Sequence, residues 1–300
     1  METVKGAAEW IDIVNPDESQ LAALKERFGL HPVIVDELKG ASARSRVEHY
    51  DGYLFFILHF PLFDDDEKVS RRSEIDFIIT RDTLVSIRYH DITPIAEFKA
   101  LLTDENKKRE LLSSTTELAY RLFHHILSYQ RRQLGHIEKK LESLSGRLFS
   151  DREKEVLISI SYVKRDISEY RMIIKPQEQL FRSLEEIGTA FFGADSKIYL
   201  TDLVGEHMKL VTQVDDYRQA IGDFEDTNNQ MMNYKINDAM KKFSILSFLT
   251  FPFMLVAAIF SMNFHNTPLT DNVYGFWIVA GVIIGGVTVL FFYIKRKGWL

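Results

Sequence analysis

Asn263 stands at the end of an apolar run that begins at Phe243, in the stretch "AAIFSMNFHNTP". A carboxamide in that position has two uses. It can close a helix, because Asn tolerates the left-handed backbone of a C-terminal cap, or it can present its oxygen and amide protons to something outside the helix. Upstream of it, alternating steps of four and three residues from Asp226 reach Gln230, Asn233, Asn237, Met240, Ser244, Ser247, Phe251, Met254, Ala258 and Ser261. A 3.5-residue period is what helices packed around a common axis require. An ordinary coiled coil fills such a seam with Leu, Ile and Val, whereas here Gln230, Asn233 and Asn237 form three consecutive polar layers, which suggests a hydrated axis. A polar face turned to solvent has the same period.

Other chemistry finds little support. There is no cysteine, which excludes disulfides, thiolate zinc sites and thiol nucleophiles. His124, His125 and His136 have no acid at zinc-site spacing, and "DDDE" at 64–67 reads as a solvated turn. No Gly-rich phosphate loop and no nucleophile elbow occurs, so the chain does not read as an enzyme. The first 240 residues carry 32 basic and 42 acidic groups, a balance that argues against nucleic acid and is compatible with attracting cations.

The elements that must position the stripe are membrane spans. Phe243 to Thr270 contains no Asp, Glu, Lys or Arg, and Asn272 to Ile294 is a second uncharged stretch of 23 residues. A bilayer core needs about 20 apolar residues in a helix. Lys241 and Lys242 precede the first stretch and Lys295, Arg296 and Lys297 follow the second, so positive charge marks both outer ends of a hairpin. The positive-inside rule then places both termini in the cytoplasm and the short loop outside a cell membrane. "METVKGAAEW" has no apolar core of a signal sequence.

Breakers and periodicity organise the rest. Residues 1–93 mix short elements: "SQLAALKERFGL" reads as a helix, and "GYLFFILHFPLF", "EIDFIIT" and "TLVSIRY" as strands. After Pro94 the pattern becomes long helices over residues 95–102, 109–149 and 151–187, the last with a kink at Pro176. "GTAFFGADS" interrupts, and no break except Pro252 then occurs from Lys197 to Met262. The expected architecture is an α+β cytoplasmic domain (1–93, with a helical region 94–196), a stem helix (197–242) continuing into a pore-lining span (243–264), an outer loop (265–272), a second span (273–294) and a basic tail (295–300).

The C-terminal hairpin resembles that of the CorA family of divalent-cation channels, whose first membrane helix ends in Gly-Met-Asn-Phe and whose chain ends in a basic, aromatic tail. This sequence has Ser261-Met262-Asn263-Phe264, then Pro268, then "KRKGWL". "FGLHPVIVDEL" at 28–38 is similar to a segment of the family's cytoplasmic domain, and Pro176 and Pro252 are placed alike. The resemblance covers nearly the whole chain, with serine replacing the motif's glycine.

The resemblance implies a homopentameric funnel in the lipid bilayer that conducts Mg²⁺, with Co²⁺ and Ni²⁺ as further candidates. Mg²⁺ dehydrates reluctantly, so a ring of five Asn263 amides would address the hydrated ion, while a carboxylate ring would hold it too tightly to let it pass. Asn237, Met240, Phe251, Met254 and Ala258 would line the pore, in agreement with the stripe. Between Met240 and Ser247 the family's spacing selects Phe243, which can gate by dewetting, where strict heptads select Ser244. Asp36 and Glu37 would meet Asp202 of a neighbouring stem and share a regulatory divalent ion. Two rival readings are a zinc (Zn²⁺) transporter of the ZntB type and a non-conducting scaffold that lost the pore through Ser261. If the helix turns at Ser261 in a left-handed conformation, the serine costs about 1–2 kcal/mol that glycine would not.

Overall fold

The structure, a computed structural model, describes residues 1–64, 69–149, 153–262 and 273–297. It comprises two compact units, Met1–Glu225 and Asp226–Leu300.

Strand β4 (Tyr53–Asp64) explains how the first unit is built. Its run "YLFFILHF" is apolar at nearly every position, which a strand tolerates only when both of its faces are covered. Leu54, Phe56, Leu58 and Phe60 point into one core and Tyr53, Phe55 and Ile57 into another, following the two-residue period of a strand. Around it stand β1 (Glu2–Lys5), β2 (Glu9–Val14), β3 (Arg46–Tyr50), β5 (Val69–Ile79) and β6 (Thr83–Arg88), in the order β1-β2-β6-β5-β4-β3. Only β2 and β6 pair in parallel. Tyr50 and Tyr53 face each other across a two-residue turn whose Gly52 has φ of +87°, a value glycine takes at no steric cost.

Helices α1 (Glu18–Phe28) and α2 (Pro32–Glu37) cover one face with Leu21, Leu24 and Ile34. Asp17 caps α1 through a reciprocal box with Gln20, and Gly29, at φ of +64°, ends it. The other face is covered by α3 (Thr93–Leu101), α4 (Glu105–Leu111), α5 (Thr115–Ser145), α6 (Glu153–Ile174), α7 (Gln177–Phe192) and the first part of α8 (Lys197–Ser261). The helix expected from 109 to 149 is interrupted at 112–114, where the Ser114 hydroxyl accepts from the Glu117 amide and starts α5 afresh. Pro176 separates α6 from α7 outright, where the sequence suggested a kink. Its missing N–H cannot continue the ladder, and the buried Gln177 amide donates to the carbonyls of Ile173 (2.8 Å) and His59 (2.5 Å).

One buried group gives this unit a pH dependence. His207 on α8 is fully buried and stacks on Phe181 with ring centroids 4.6 Å apart, and among the described residues its ring nitrogens find no well-formed hydrogen bond. Burial pushes its pKa down to about 4 from an ordinary 6.5. The stability gained by keeping the ring neutral is complete above pH 6.5 and is lost as pH falls through about 4, because the unfolded chain takes the proton first. At about 1.4 kcal/mol per unit this approaches about 3 kcal/mol. His207→Phe keeps the stack and removes the titration, so the decline of the thermal midpoint between pH 6.5 and 4.5 should flatten. Equal slopes in variant and parent would absolve His207.

The second unit contains the remainder of α8 and α9 (Gly275–Arg296). Both helices are long and apolar enough to cross a membrane, and only 11% and 6% of their most apolar windows are buried within the chain.

Candidate ion pathway and metal positions

In the apolar part of α8, from Phe243 on, the side chains that pack inward are Ile245 and Leu249, with Phe253, Val256 and Phe260 partly buried on the same face. Ile245 and Leu249 form a small core with Val287, Leu290 and Ile294 of α9. Gly286 lets the two helices approach, since a Cβ there would stand 2.6 Å from the Phe253 ring.

At about 100° per residue, Met240, Ser247, Phe251, Met254 and Ala258 lie about 140–200° around the helix from Leu249, which is the side away from α9. They are exposed, Met240 at 62%, Phe251 at 68% and Met254 at 69%, so the described residues offer this stripe no partner. Met240, Phe243, Ser247, Phe251 and Met254 line one shallow concavity along it. Phe243 and Ser244 flank the stripe's midline at about equal angles on either side. Both line the concavity, so the single chain does not choose between them. Farther up, Asp226, Asn233 and Asn237 are exposed as well.

Ser261 is the last residue of α8, and its hydroxyl donates to the Ala258 carbonyl at 2.7 Å. Its backbone is right-handed: among the described residues the only non-glycine with positive φ is Asn15. The left-handed cost expected for a serine at this point therefore does not arise. The Met262 amide donates to the Ile259 carbonyl at 3.2 Å, continuing the turn. Asn263 lies outside the described residues, as do the loop at 265–272 and the last three residues of the tail.

Of the basic residues, Lys242 pairs with Asp238 at 2.7 Å, and Lys241 is exposed. Lys295 and Arg296 close α9, and the Lys297 ammonium sits 5.6 Å from the centre of the Tyr293 ring.

The three acidic positions meet different surroundings. Asp36 is exposed, and its hydrogen bond from Lys39 at 2.7 Å lowers its pKa. Glu37 is held from two sides: Arg46 grips both carboxylate oxygens, and Ser42 donates at 2.5 Å. The Arg46 guanidinium keeps Glu37 below the usual carboxylate range. Asp202 accepts from the Tyr120 hydroxyl at 3.0 Å. Among the described residues of one chain, no three His, Asp or Glu side chains gather as a metal site. The Arg46 clamp was not legible in the sequence, because its offset of nine positions from Glu37 follows no helical or strand period.

A CorA-like Mg²⁺ transporter protein model matches residues 5–296. The chain belongs to that CorA-like family. CorA relatives match along nearly the full length. The cobalt/magnesium transport protein CorA of Methanocaldococcus jannaschii is 22% identical over 97% of this chain and 91% of its own. The magnesium transport protein CorA of Haemophilus ducreyi is 26% identical over 98% and 92%. The solved structure of the M. jannaschii CorA magnesium transporter superposes with a TM-score of 0.85 at 21% identity, covering 100% of this chain and 94% of that one. The CorA fold is thus shared from the sheet to the apolar helices.

Proposed function

We propose that this protein is a membrane channel for divalent cations, Mg²⁺ first among them, in which five copies place α8 around a common axis. The observation that carries the reading is the exposed stripe of Met240, Ser247, Phe251, Met254 and Ala258, lying opposite the face that α8 buries on α9 and leading to Ser261-Met262-Asn263. A lone hairpin in lipid has no use for serine and alanine in register with a polar stripe above the membrane; a ring of such helices does. Names of CorA relatives that include magnesium and cobalt support the ion class.

In this mechanism Asn263 amides receive the hydrated ion at the outer mouth, Phe251, Met254 and Phe243 narrow the path, and Asn237 and Asn233 rehydrate what passes. Lys241, Lys242, Lys295, Arg296 and Lys297 lie at the cytoplasmic ends of the spans. Liposomes holding the purified protein should take up Mg²⁺ and Co²⁺ down an imposed gradient. Absence of flux for every divalent ion tested would leave a scaffold, and dependence on a pH gradient with Zn²⁺ preferred would leave the zinc carrier.

Regulation by a shared ion falls mainly on Asp36 and Asp202. Glu37 already spends its charge on Arg46, so it is the weakest ligand of the three. Asp36→Asn and Asp202→Asn should each reduce the protection from proteolysis that added Mg²⁺ confers, whereas Glu37→Gln should change that protection less and lower the thermal midpoint more. A Glu37→Gln protein that melts like the parent but loses all Mg²⁺ protection would reverse this assignment.

A further inference from the structure

Within the first unit, a cleft of about 440 Å³ lies where the segment before β3 meets α6 and α7. Arg44, Arg46, Arg72, Ser45 and His59 line it, and no carboxylate does among the described residues. Arg46 is committed to Glu37 and to Glu48, the latter at 2.9 Å. Among the described residues the other two arginines have no carboxylate partner: Arg44 is exposed, and Arg72 is exposed and donates to the Ala43 carbonyl at 3.2 Å. His59 is nine-tenths buried or more, fixed by Glu74 at 2.7 Å and by the Ser45 hydroxyl at 2.6 Å. The cleft is therefore a polar floor beneath two guanidinium groups that meet no carboxylate among the described residues, in a domain with an excess of acidic groups.

We propose that this cleft binds a phosphate-bearing anion. Guanidinium groups match phosphate oxygens in pairs and stay charged at every physiological pH. The volume falls in the range of small-molecule sites, about 300–1,000 Å³, which is more than a bare phosphate fills. Met172 and Leu180 on the opposite wall offer apolar contact to an organic body. The site shares no lining residue with the stripe, it touches the acidic positions only through the Arg46 clamp on Glu37, and it does not depend on what the membrane helices conduct.

The test uses the full-length protein in detergent with EDTA present, so that a nucleotide acts as an anion and not as a chelator. Titration calorimetry at fixed ionic strength with AMP and with inorganic phosphate should show saturable binding of at least one. That binding should weaken about tenfold or more in the Arg44→Gln/Arg72→Gln double variant, about 1.4 kcal/mol, and be unchanged in Arg109→Gln on α4. AMP binding more tightly than phosphate assigns the apolar wall to an organic body, and equal affinities assign the site to free phosphate. No saturable binding of either up to about 10 mM, or equal binding by the double variant and the parent, would overturn the proposal.

Discussion

Asn263→Leu abolishes Mg²⁺ uptake into liposomes, while Ser261→Gly keeps it: that is the outcome expected if the amide ring receives the hydrated ion. Leucine is close to asparagine in size, so the substitution removes the dipole and the hydrogen bonds and little else. In the proposed pentamer five amides would vanish at once, and a strongly hydrated ion would then meet an apolar ring at the mouth, where dewetting opposes entry. Flux should fall to the level of empty liposomes. Ser261 is different. Its hydroxyl is turned back on the Ala258 carbonyl and its backbone is helical, so it neither relieves strain nor reaches toward an ion in this conformation. Ser261→Gly removes a local hydrogen bond and adds backbone freedom at a helix end, a cost of about 0.5–1 kcal/mol that leaves assembly intact. Uptake by Asn263→Leu at the parent's rate, with protein density matched, would dismiss the ring. Restoration of flux by Ser261→Gly in an otherwise silent parent would mean that the serine is what closes the pathway.

Why Ser261 differs from expectation shows where sequence reading stops. Motif comparison reports which residue type stands where, and glycine in a motif invites an argument from positive φ. The backbone angle itself follows from how the last turn of α8 closes, which depends on the carbonyls available to it, here Ala258 and Ile259. The two apolar helices, by contrast, were legible because charge exclusion over more than 20 residues has few physical causes, and β4 to β6 because their runs of Phe, Ile, Leu and Val end at turn residues. β1, β2 and β3 are short, and β2, "EWIDIV", carries Glu9 and Asp12 inside its six residues. Asp12 is tolerated there only because Arg88, from β6, and Lys99, from α3, reach it at 3.0 and 2.7 Å. Partners that distant in sequence leave no local signature. The stripe was found by its period, yet its direction was not, since a heptad pattern does not say which side faces a neighbour. Burial of Ile245 and Leu249 against α9 supplied that direction for the single chain.

The same packing gives the second large effect. Gly285 and Gly286 are adjacent on α9 but point about 100° apart. A Cβ on Gly286 would fall 2.6 and 3.0 Å from ring carbons of Phe253, whereas one on Gly285 meets nothing within 4 Å. Phe253 is a ring on the face of α8 that holds α9, so yielding means swinging the whole ring out of that partly buried face. Gly286→Val therefore displaces the ring or pushes the helices apart, an overpacking cost of about 1–3 kcal/mol per chain. In the proposed ring of five that strain would be repeated in every subunit, and the exposed stripe would lose its fixed angle to α9. Gly286→Val should elute in detergent as species smaller than the parent assembly and transport little Mg²⁺. Gly285→Val, the same side chain one residue earlier, should elute like the parent. If both variants assemble normally, the close approach of Phe253 to α9 does not set the hairpin. If Gly285→Val is the damaging one, its open side is occupied by a neighbouring subunit, and the order of helices around the axis must be redrawn from that contact.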